Sequence, residues 1–305
     1  MTDILTGIIP VAPTPFHEDE SLDLDGQRRI VDFLVGARAD AVCVLANYSE
    51  QFSLDDAERR LVLDATVRAA DGRLPVVVAT SHYSARVAAT RSREAASAGA
   101  AAVMLMPPFV GSTLRPGDDG VREFFHTVAD GLDADIMVQD APLSGVALPV
   151  SLLAELAAEI PRLRYAKVEV PGTAAKIAAL GAAAGESLPG LFDGEEGVTL
   201  VPDLENGAVG SMASCVAPEI LGDVVRRFRA GDRDTATRLW EDVLPLIHFE
   251  NRQCGLAAAK ALLAEGGVIA SSRTRSPYPA LSPATRSALL ELARRRGVLA
   301  LDWAR

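Results

Sequence analysis

The feature of this sequence that most restricts its fold is a regular alternation between short apolar runs and longer amphipathic segments. The runs are rich in Val, Ile and Ala, and most of them hold few polar residues. Such near-continuous hydrophobicity is typical of parallel strands that are covered on both faces. Eight runs fit this description: residues 7–12, 39–46, 74–81, 101–107, 134–140, 163–170, 188–194 and 207–214.

The segments between the runs space their apolar residues as helices do. Residues 53–70 begin at Ser53, a residue type that caps helices, and place acidic residues in the first turn. Residues 84–100 and 149–160 follow the same spacing. Strands that alternate with helices over residues 1–217 predict a (β/α)8 TIM barrel as the catalytic domain. A doubly wound sheet is the alternative, but no GxGxxG or P-loop glycine cluster follows the first run.

Residues 218–305 contain no run that resembles a strand. Helical spacing covers residues 217–232, 233–267 and 282–297, and Gly and Pro residues separate these segments. We therefore predict a helical C-terminal extension over residues 218–305, beyond the barrel domain.

The bulk composition limits the partners and the compartment. A net charge of −11 argues against nucleic acid and anionic membranes as partners, because both require a basic surface. Cys43, Cys215 and Cys254 lie far apart, which indicates free thiols rather than disulfides or a metal site. The N-terminus lacks a signal-peptide pattern, and no apolar stretch reaches the ~20 residues of a membrane span. We predict a soluble, cytoplasmic protein.

Lys167 is one of only three lysines among thirty basic residues, and it lies near the end of the sixth run. TIM barrels place their chemistry at the C-terminal ends of the strands. Desolvation there is expected to lower the pKa of Lys167 and to expose a nucleophilic neutral amine. The alternative is a lysine that extends from the strand edge to solvent. Lys176 and Lys260 lie in helical segments, where solvated or ion-paired roles are expected.

Glu169 follows Lys167 at a spacing of two residues, which places both side chains on one face of a strand, with Cα atoms about 6–7 Å apart. A carboxylate beside a Schiff-base nitrogen can move protons on the neighbouring carbons. A structural Lys–Glu ion pair is the alternative. The fifth run ends in Gln139 and Asp140. Gln139 cannot ionise, so we expect it to position the substrate by hydrogen bonding, whereas Asp140 could also cap a loop.

Two further groups lie at predicted strand ends. Asn47, Tyr48 and Ser49 follow the second run and lead into a predicted helix N-terminus, an arrangement that binds a carboxylate well but also suits plain turn formation. His82 lies just past the third run, near the expected mouth of the barrel. The acidic segment FDGEEG (192–197) lacks the partners of a metal site, and we predict no metal.

Several motifs resemble those of the dihydrodipicolinate synthase/N-acetylneuraminate lyase family of Schiff-base enzymes, and the resemblance covers essentially the whole chain. They are VAPTPF (11–16), ANYSEQFSLDDAER (46–59), MPPF (106–109), QDAP (139–142), YAKVE (165–169) and GAVGSMAS (207–214). The resemblance implies a Schiff-base lysine at Lys167, a 2-oxo acid substrate, no cofactor and a homotetramer.

The sequence also departs from the synthase pattern. The family's two threonines after strand two correspond to Asn47 and Tyr48, and the tyrosine of its Y-N-x-P motif corresponds to Gln139. The arginine that holds the carboxylate of the synthase's aldehyde substrate corresponds to Ser144, and the two tyrosines of P-P-Y-Y correspond to Phe109 and Val110. The proton relay of the synthase is therefore missing, and we expect neither synthase nor neuraminate lyase activity.

Within the family, the segments ANYSEQF, TSHYS, DGEE and ENRQ resemble the L-2-keto-3-deoxyarabonate dehydratases. This resemblance implies dehydration of a five-carbon 2-keto-3-deoxy sugar acid to 2-oxoglutarate semialdehyde. Lys167 would form the imine, Glu169 would remove a C3 proton, and Gln139 would orient the substrate. We place Asn47, Tyr48, Ser49, His82 and Asp193 of the DGEE segment among the substrate-binding residues.

Two other functions remain open at this point. A retro-aldol lyase would use the same Schiff base but would cleave the C3–C4 bond and release pyruvate. A non-catalytic 2-oxo acid-binding protein could use the same fold, although a covalent nucleophile beside a carboxylate argues against it. Product analysis distinguishes the three.

Overall fold

A computed structural model describes residues 4–111 and 115–303 and contains an eight-stranded parallel sheet. The strands are β1 (Gly7–Ile8), β2 (Val42–Val44), β3 (Val76–Ala79), β4 (Ala102–Leu105), β5 (Asp135–Asp140), β6 (Leu163–Val168), β7 (Gly190–Asp193) and β8 (Gly210–Ser211). Strands β2 to β8 pair in chain order, and β1 pairs with β8. Backbone hydrogen bonds of Cys43 with Pro10 and Ala12, 2.9 and 2.8 Å long, join β2 to the segment after β1. The predicted TIM-barrel fold is confirmed.

Helices follow the strands and form the outer layer. They are α1 (Leu24–Gly36), α2 (Asp56–Ala70), α3 (Ala85–Ser97), α4 (Asp118–Ala129), α5 (Val150–Glu159), α6 (Thr173–Ala184), α7 (Leu200–Glu205), α8 (Pro218–Arg229), α9 (Arg233–Phe249), α10 (Ala257–Glu265) and α11 (Pro283–Arg296). Every predicted apolar run contains one strand, and the described residues after Arg229 form helices and loops.

Strand alternation divides the buried residues into two layers. One layer fills the barrel interior, and the other lies between the strands and the helices. The interior layer includes Cys43, Val77, Met104, Met137, Tyr165, Phe192 and Met212. Because side chains two residues apart share a face, Gln139 and Lys167 continue the inward rows of Met137 and Tyr165 towards the C-terminal mouth.

The N-terminus of α2 differs from the prediction. Ser53 lies in a 3-10 turn (Gln51–Ser53), and Asp55 is the N-cap residue. The Asp55 carboxylate accepts a 2.8 Å hydrogen bond from the Glu58 backbone N–H, and the Glu58 carboxylate accepts one from the Asp55 N–H. This reciprocal capping box satisfies two backbone donors at once, which a serine at position 53 could not do. The prediction that Ser53 caps the helix was wrong.

The C-terminal helices fold back onto the barrel. Helix α8 follows β8 and packs against β1, so it completes the eighth strand–helix unit. The division at residue 217 stays a prediction. The rings of Trp303 and Phe33 on α1 meet edge to face with centroids 5.5 Å apart. After α9, a π-helical turn (Glu250–Cys254) brings the chain across the mouth of the barrel.

The three cysteines form no disulfides, and their surroundings do not activate them as nucleophiles. Cys43 and Cys215 are buried, and Cys254 is partly buried. Burial raises the pKa of the Cys43 thiol to about 12, so this thiol is not a nucleophile at neutral pH. In the part of the chain that the structure describes, no helix is long and apolar enough to cross a bilayer.

Candidate active site

The three residues predicted to be catalytic meet at the C-terminal ends of β5 and β6. Gln139 pairs with Lys167 in the register of the two strands. The Lys167 Nζ atom lies 2.6 Å from Glu169 Oε1, and Gln139 Nε2 donates a 2.8 Å hydrogen bond to the same oxygen. The predicted proximity of Lys167 and Glu169 is confirmed. The Gln139 Oε1 atom is buried without a partner in the described chain, so it is able to accept a hydrogen bond from a ligand.

The pKa of Lys167 shifts in the opposite direction to the prediction. Lys167 is 4% exposed, and burial alone would lower its pKa. The carboxylates of Glu169 and Glu196 more than offset this effect and raise the pKa above its usual value. The free site therefore holds an ammonium–carboxylate pair at neutral pH. A nucleophilic amine forms only when the proton moves to Glu169 or to another base.

A cavity of about 500 Å³ opens beside this pair. Its walls come from the β2 and β7 loops, from the end of β6 and from the C-terminal helices. The lining residues are Tyr48, Glu169, Gly194, Glu195, Glu196, Val198, His248, Asn251 and Arg252. The volume accommodates a five- or six-carbon sugar acid with its hydration water.

Glu196 is the main site residue that the sequence analysis did not assign. It lies in the loop after β7, is 7% exposed and has a left-handed backbone with φ of 58°. Its Oε2 atom has no partner among the described residues. Burial raises the pKa of Glu196 well above its usual value; the nearby Lys167 ammonium acts against this rise, and Glu250 and Glu169 reinforce it. A buried carboxyl group that resists ionisation thus lines the same cavity as Glu169.

Glu250 places a second buried acid behind the cavity. It begins the π-helical turn after α9 and hydrogen-bonds Ser214. Burial raises its pKa to about 8. The ENRQ segment (250–253) matched a family motif, but only the fold shows that it returns to the barrel mouth. In the described residues, no group of His, Cys, Asp and Glu is arranged to hold a metal ion.

The loop after β2 contributes fewer residues to the cavity wall than predicted. Asn47, Tyr48 and Ser49 form a short 3-10 turn rather than the start of a helix, so the predicted helix N-terminus is absent there. The Ser49 hydroxyl donates to the Ala12 carbonyl at 2.6 Å, and Asn47 Oδ1 accepts a hydrogen bond from Gln51. Tyr48 alone of the three lines the cavity, and burial raises its pKa, which keeps the phenol a hydrogen-bond donor.

His82 lies away from the lysine. It lines a separate cavity of about 250 Å³ together with Tyr83 and Phe109, and its ring stacks on Tyr83 at 4.7 Å. Its Nδ1 atom accepts a 3.0 Å hydrogen bond from the Ser84 backbone N–H. Burial lowers the pKa of His82, so the ring is neutral at neutral pH. The structure therefore does not bring His82 together with Lys167 and Glu169.

Asp193 lies on the outer face of β7. It pairs in register with Val168, whose side chain packs in the layer between strands and helices. The Asp193 carboxylate accepts hydrogen bonds from the N–H groups of Glu195 and Gly197 and from the Ser211 hydroxyl. All of these donors belong to the protein, so the predicted contact of Asp193 with the substrate has no support in this geometry.

The other two lysines are both ion-paired, as predicted. Lys176 Nζ lies 2.6 Å from Asp140 Oδ2, which places Asp140 in a contact between β5 and α6. Lys260 is fully buried against Glu50, and burial lowers its pKa to about 8. Neither lysine lines the cavity beside Glu169.

Gly194 provides the space that the lysine and its carboxylate occupy. A Cβ atom at this position would lie 2.5 Å from Glu169 Cγ and 2.9 Å from both Lys167 Cγ and the Val168 carbonyl oxygen. We expect Gly194→Ala to displace both side chains and to lower kcat by roughly 10- to 100-fold, because ångström-scale misplacement of reacting groups is that costly.

The control for this substitution is Gly117→Ala, since a Cβ atom there meets nothing within 4 Å. Steady-state kinetics of both variants, with circular dichroism to compare folding, is the measurement. Equal kcat values for the two variants would contradict the steric argument.

The fold and the site define a TIM-barrel enzyme with a buried lysine–carboxylate pair at the end of its sixth strand, beside an open cavity. The chain belongs to the Dihydrodipicolinate synthetase family, which matches residues 4–295. More particularly, it is 46% identical to the L-2-keto-3-deoxyarabonate dehydratase of Azospirillum brasilense, over 98% of this chain and 96% of that protein.

Other relatives support the family assignment. A 4-hydroxy-tetrahydrodipicolinate synthase of Sorangium cellulosum is 30% identical over 95% of this chain and 96% of that protein. The crystal structure of dihydrodipicolinate synthase from Rhodopseudomonas palustris superposes with a TM-score of 0.87 at 30% identity, and covers 95% of this chain and 97% of that chain. The predicted family is confirmed, and so is the prediction of an enzyme of the carbon–oxygen lyase class.

Proposed function

We propose that this protein dehydrates L-2-keto-3-deoxyarabonate to 2-oxoglutarate semialdehyde through a Schiff base on Lys167. The observation that carries the proposal is the 2.6 Å contact between Lys167 and Glu169 beside the open cavity. The 46% identity to a dehydratase of that name supports the choice of substrate. A homotetramer and a cytoplasmic location stay predictions.

The first step forms the imine. Glu169 accepts a proton from Lys167, and the neutral amine attacks the C2 carbonyl of the substrate. Loss of the C2 oxygen as water leaves a protonated imine. Its positive charge remains beside the site carboxylates, which stabilise it as they stabilise the lysine ammonium.

The second step removes water from C3 and C4. The imine acidifies the C3 hydrogens, and Glu169 is placed to remove one of them and to form the enamine. The enamine electrons then expel the C4 hydroxyl, and a C3–C4 double bond conjugated with the imine remains. The departing hydroxyl needs a proton to leave as water. Glu196 is suited to donate it, because burial raises its pKa and because it lines the same cavity.

The last step converts the unsaturated imine into the product. Loss of a C5 proton and return of a proton to C3 give an enol at C4 and C5, which tautomerises to the aldehyde. Hydrolysis of the imine restores Lys167 and releases 2-oxoglutarate semialdehyde. Gln139 holds Glu169 through its amide N–H, and its free Oε1 faces no competing protein donor.

Product analysis by NMR tests the proposal. L-2-keto-3-deoxyarabonate, its C4 epimer and a six-carbon 2-keto-3-deoxy acid are each incubated with the protein. We expect the first compound to give 2-oxoglutarate semialdehyde. Pyruvate with glycolaldehyde would instead establish a retro-aldol lyase, and unchanged substrate with measurable binding would establish a binding protein.

A further inference from the structure

The turn that carries Glu196 is held by one carboxylate. Glu196 has a left-handed backbone, which residues other than glycine adopt only when their surroundings enforce it. The two flanking N–H groups, of Glu195 and Gly197, each donate a 3.0 Å hydrogen bond to Asp193, one to each carboxylate oxygen. Asp193 therefore holds the backbone on both sides of Glu196 and fixes the direction in which the Glu196 side chain leaves the turn.

A second buried carboxyl group lies against Asp193. Asp203 on α7 is fully buried, and its Oδ2 atom accepts a 2.7 Å hydrogen bond from the Thr199 hydroxyl. Ser211 donates to Asp193 Oδ2 at 2.6 Å. Asp203 Oδ1 has no donor partner among the described residues, but its carboxyl group is within hydrogen-bonding reach of Asp193. Two buried carboxyl groups in contact cannot both ionise at low cost, so one proton is shared between them.

We propose that Asp193 and Asp203 form a singly protonated carboxyl pair that positions Glu196 for proton donation to the departing hydroxyl. This inference rests on the proposed function, because the pair acts through Glu196. In the pair, Asp193 is the carboxylate that accepts the two backbone N–H groups, and Asp203 is the acid that donates to it. Asp193 is thus a positioning residue and does not contact the substrate.

The charges and the burial around the two residues agree with Asp193 as the carboxylate and Asp203 as the acid. Burial and the negative charge of Asp193 raise the pKa of Asp203 to about 7. The other charged groups that act on the pair are Glu195 of the same turn and Lys167 of β6. Below this pKa Asp203 keeps its proton, and Asp193 holds the turn through its hydrogen bonds to Glu195 and Gly197. As the pH rises through it, Asp203 ionises, the two carboxylates repel each other, and the support of the turn weakens.

Kinetics of single and double variants test the positioning role. Asp193→Asn presents an amide N–H to backbone donors, so we expect kcat to fall about 30- to 100-fold with little change in KM. Borohydride trapping of the Schiff base should remain as in the unmodified enzyme. Because the effect passes through Glu196, adding D193N to E196Q should lower kcat by less than about threefold further.

The control is Glu205→Gln, which removes an exposed carboxylate from the same helix as Asp203. It should leave kcat unchanged. The inference is overturned if D193N has the same kcat as E205Q. It is also overturned if the activation free-energy changes of D193N and E196Q add up in the double variant. Absence of dehydration in the unmodified enzyme would instead overturn the proposed function.

Asp203→Asn gives a second test that does not depend on the folding of D193N. The amide N–H of the asparagine takes the place of the shared proton at every pH. We therefore expect kcat to fall only about threefold at pH 7. The decline of kcat above pH 7 that Asp203 causes in the unmodified enzyme should disappear. An unchanged decline in D203N would contradict the shared proton.

Carbon-13 NMR of the aspartate carboxyl groups tests the pair without any catalytic assay. The Asp203 signal is assigned by its absence in D203N. We expect it to report a protonated acid at pH 6 and to titrate near pH 7. An Asp203 carboxylate that is already ionised at pH 6 would overturn the inference, whatever the enzyme's activity.

Discussion

Replacement of Lys167 by alanine is expected to lower dehydration at least ~10,000-fold, because the covalent imine is the only electron sink that the mechanism uses. Lys167→Arg should be as inactive, although it keeps a positive charge beside Glu169. A guanidinium stays protonated and is not a nucleophile, so this variant separates covalent chemistry from simple charge balance. Lys176→Arg is the matched control, since Lys176 lies in an ion pair with Asp140.

Borohydride reduction with pyruvate identifies the lysine directly. With only three lysines in the chain, peptide mass mapping gives an unambiguous answer. We expect the added mass on the peptide that contains Lys167 alone. Label on Lys176 or Lys260, or retained dehydration in K167R, would refute the Schiff-base mechanism at this position.

Glu169→Gln should lose dehydration by at least about 100-fold and still form a Schiff base with pyruvate. The carboxylate raises the pKa of Lys167, so its removal leaves burial as the dominant influence and lowers that pKa. More neutral amine is then present at a given pH, and imine formation should extend to lower pH. The missing step is removal of the C3 proton. Single-turnover kinetics beside borohydride trapping separate the two steps.

Gln139→Ala is the comparison for this variant. It removes the 2.8 Å hydrogen bond to Glu169 but leaves the base in place, so its loss of kcat should be smaller than that of E169Q. Near-normal dehydration by E169Q would show that Glu169 is only the ion-pair partner of Lys167. Glu196 would then be the next base to examine, because it lines the same cavity.

The sequence by itself determined the barrel and the local part of the site. Strand and helix patterns arise from periods of two and 3.6 residues, which are read within a short window of the chain. The same period put Lys167 and Glu169 on one face, whereas the strand register that places Gln139 beside Lys167 came from the structure. The predicted start of α2 was wrong, with Asp55 rather than Ser53 as the N-cap, because several nearby side chains compete for the same backbone donors.

The tertiary structure alone decided the rest of the site, for two physical reasons. Contacts between distant segments do not follow from local spacing. The return of the Glu250–Cys254 turn to the barrel mouth and the placement of His82 in a separate cavity therefore required the fold. The protonation states depend on burial and on charges from several strands at once. For that reason the pKa of Lys167 rises rather than falls, and Asp193 supports the turn of Glu196 from the outer face of β7.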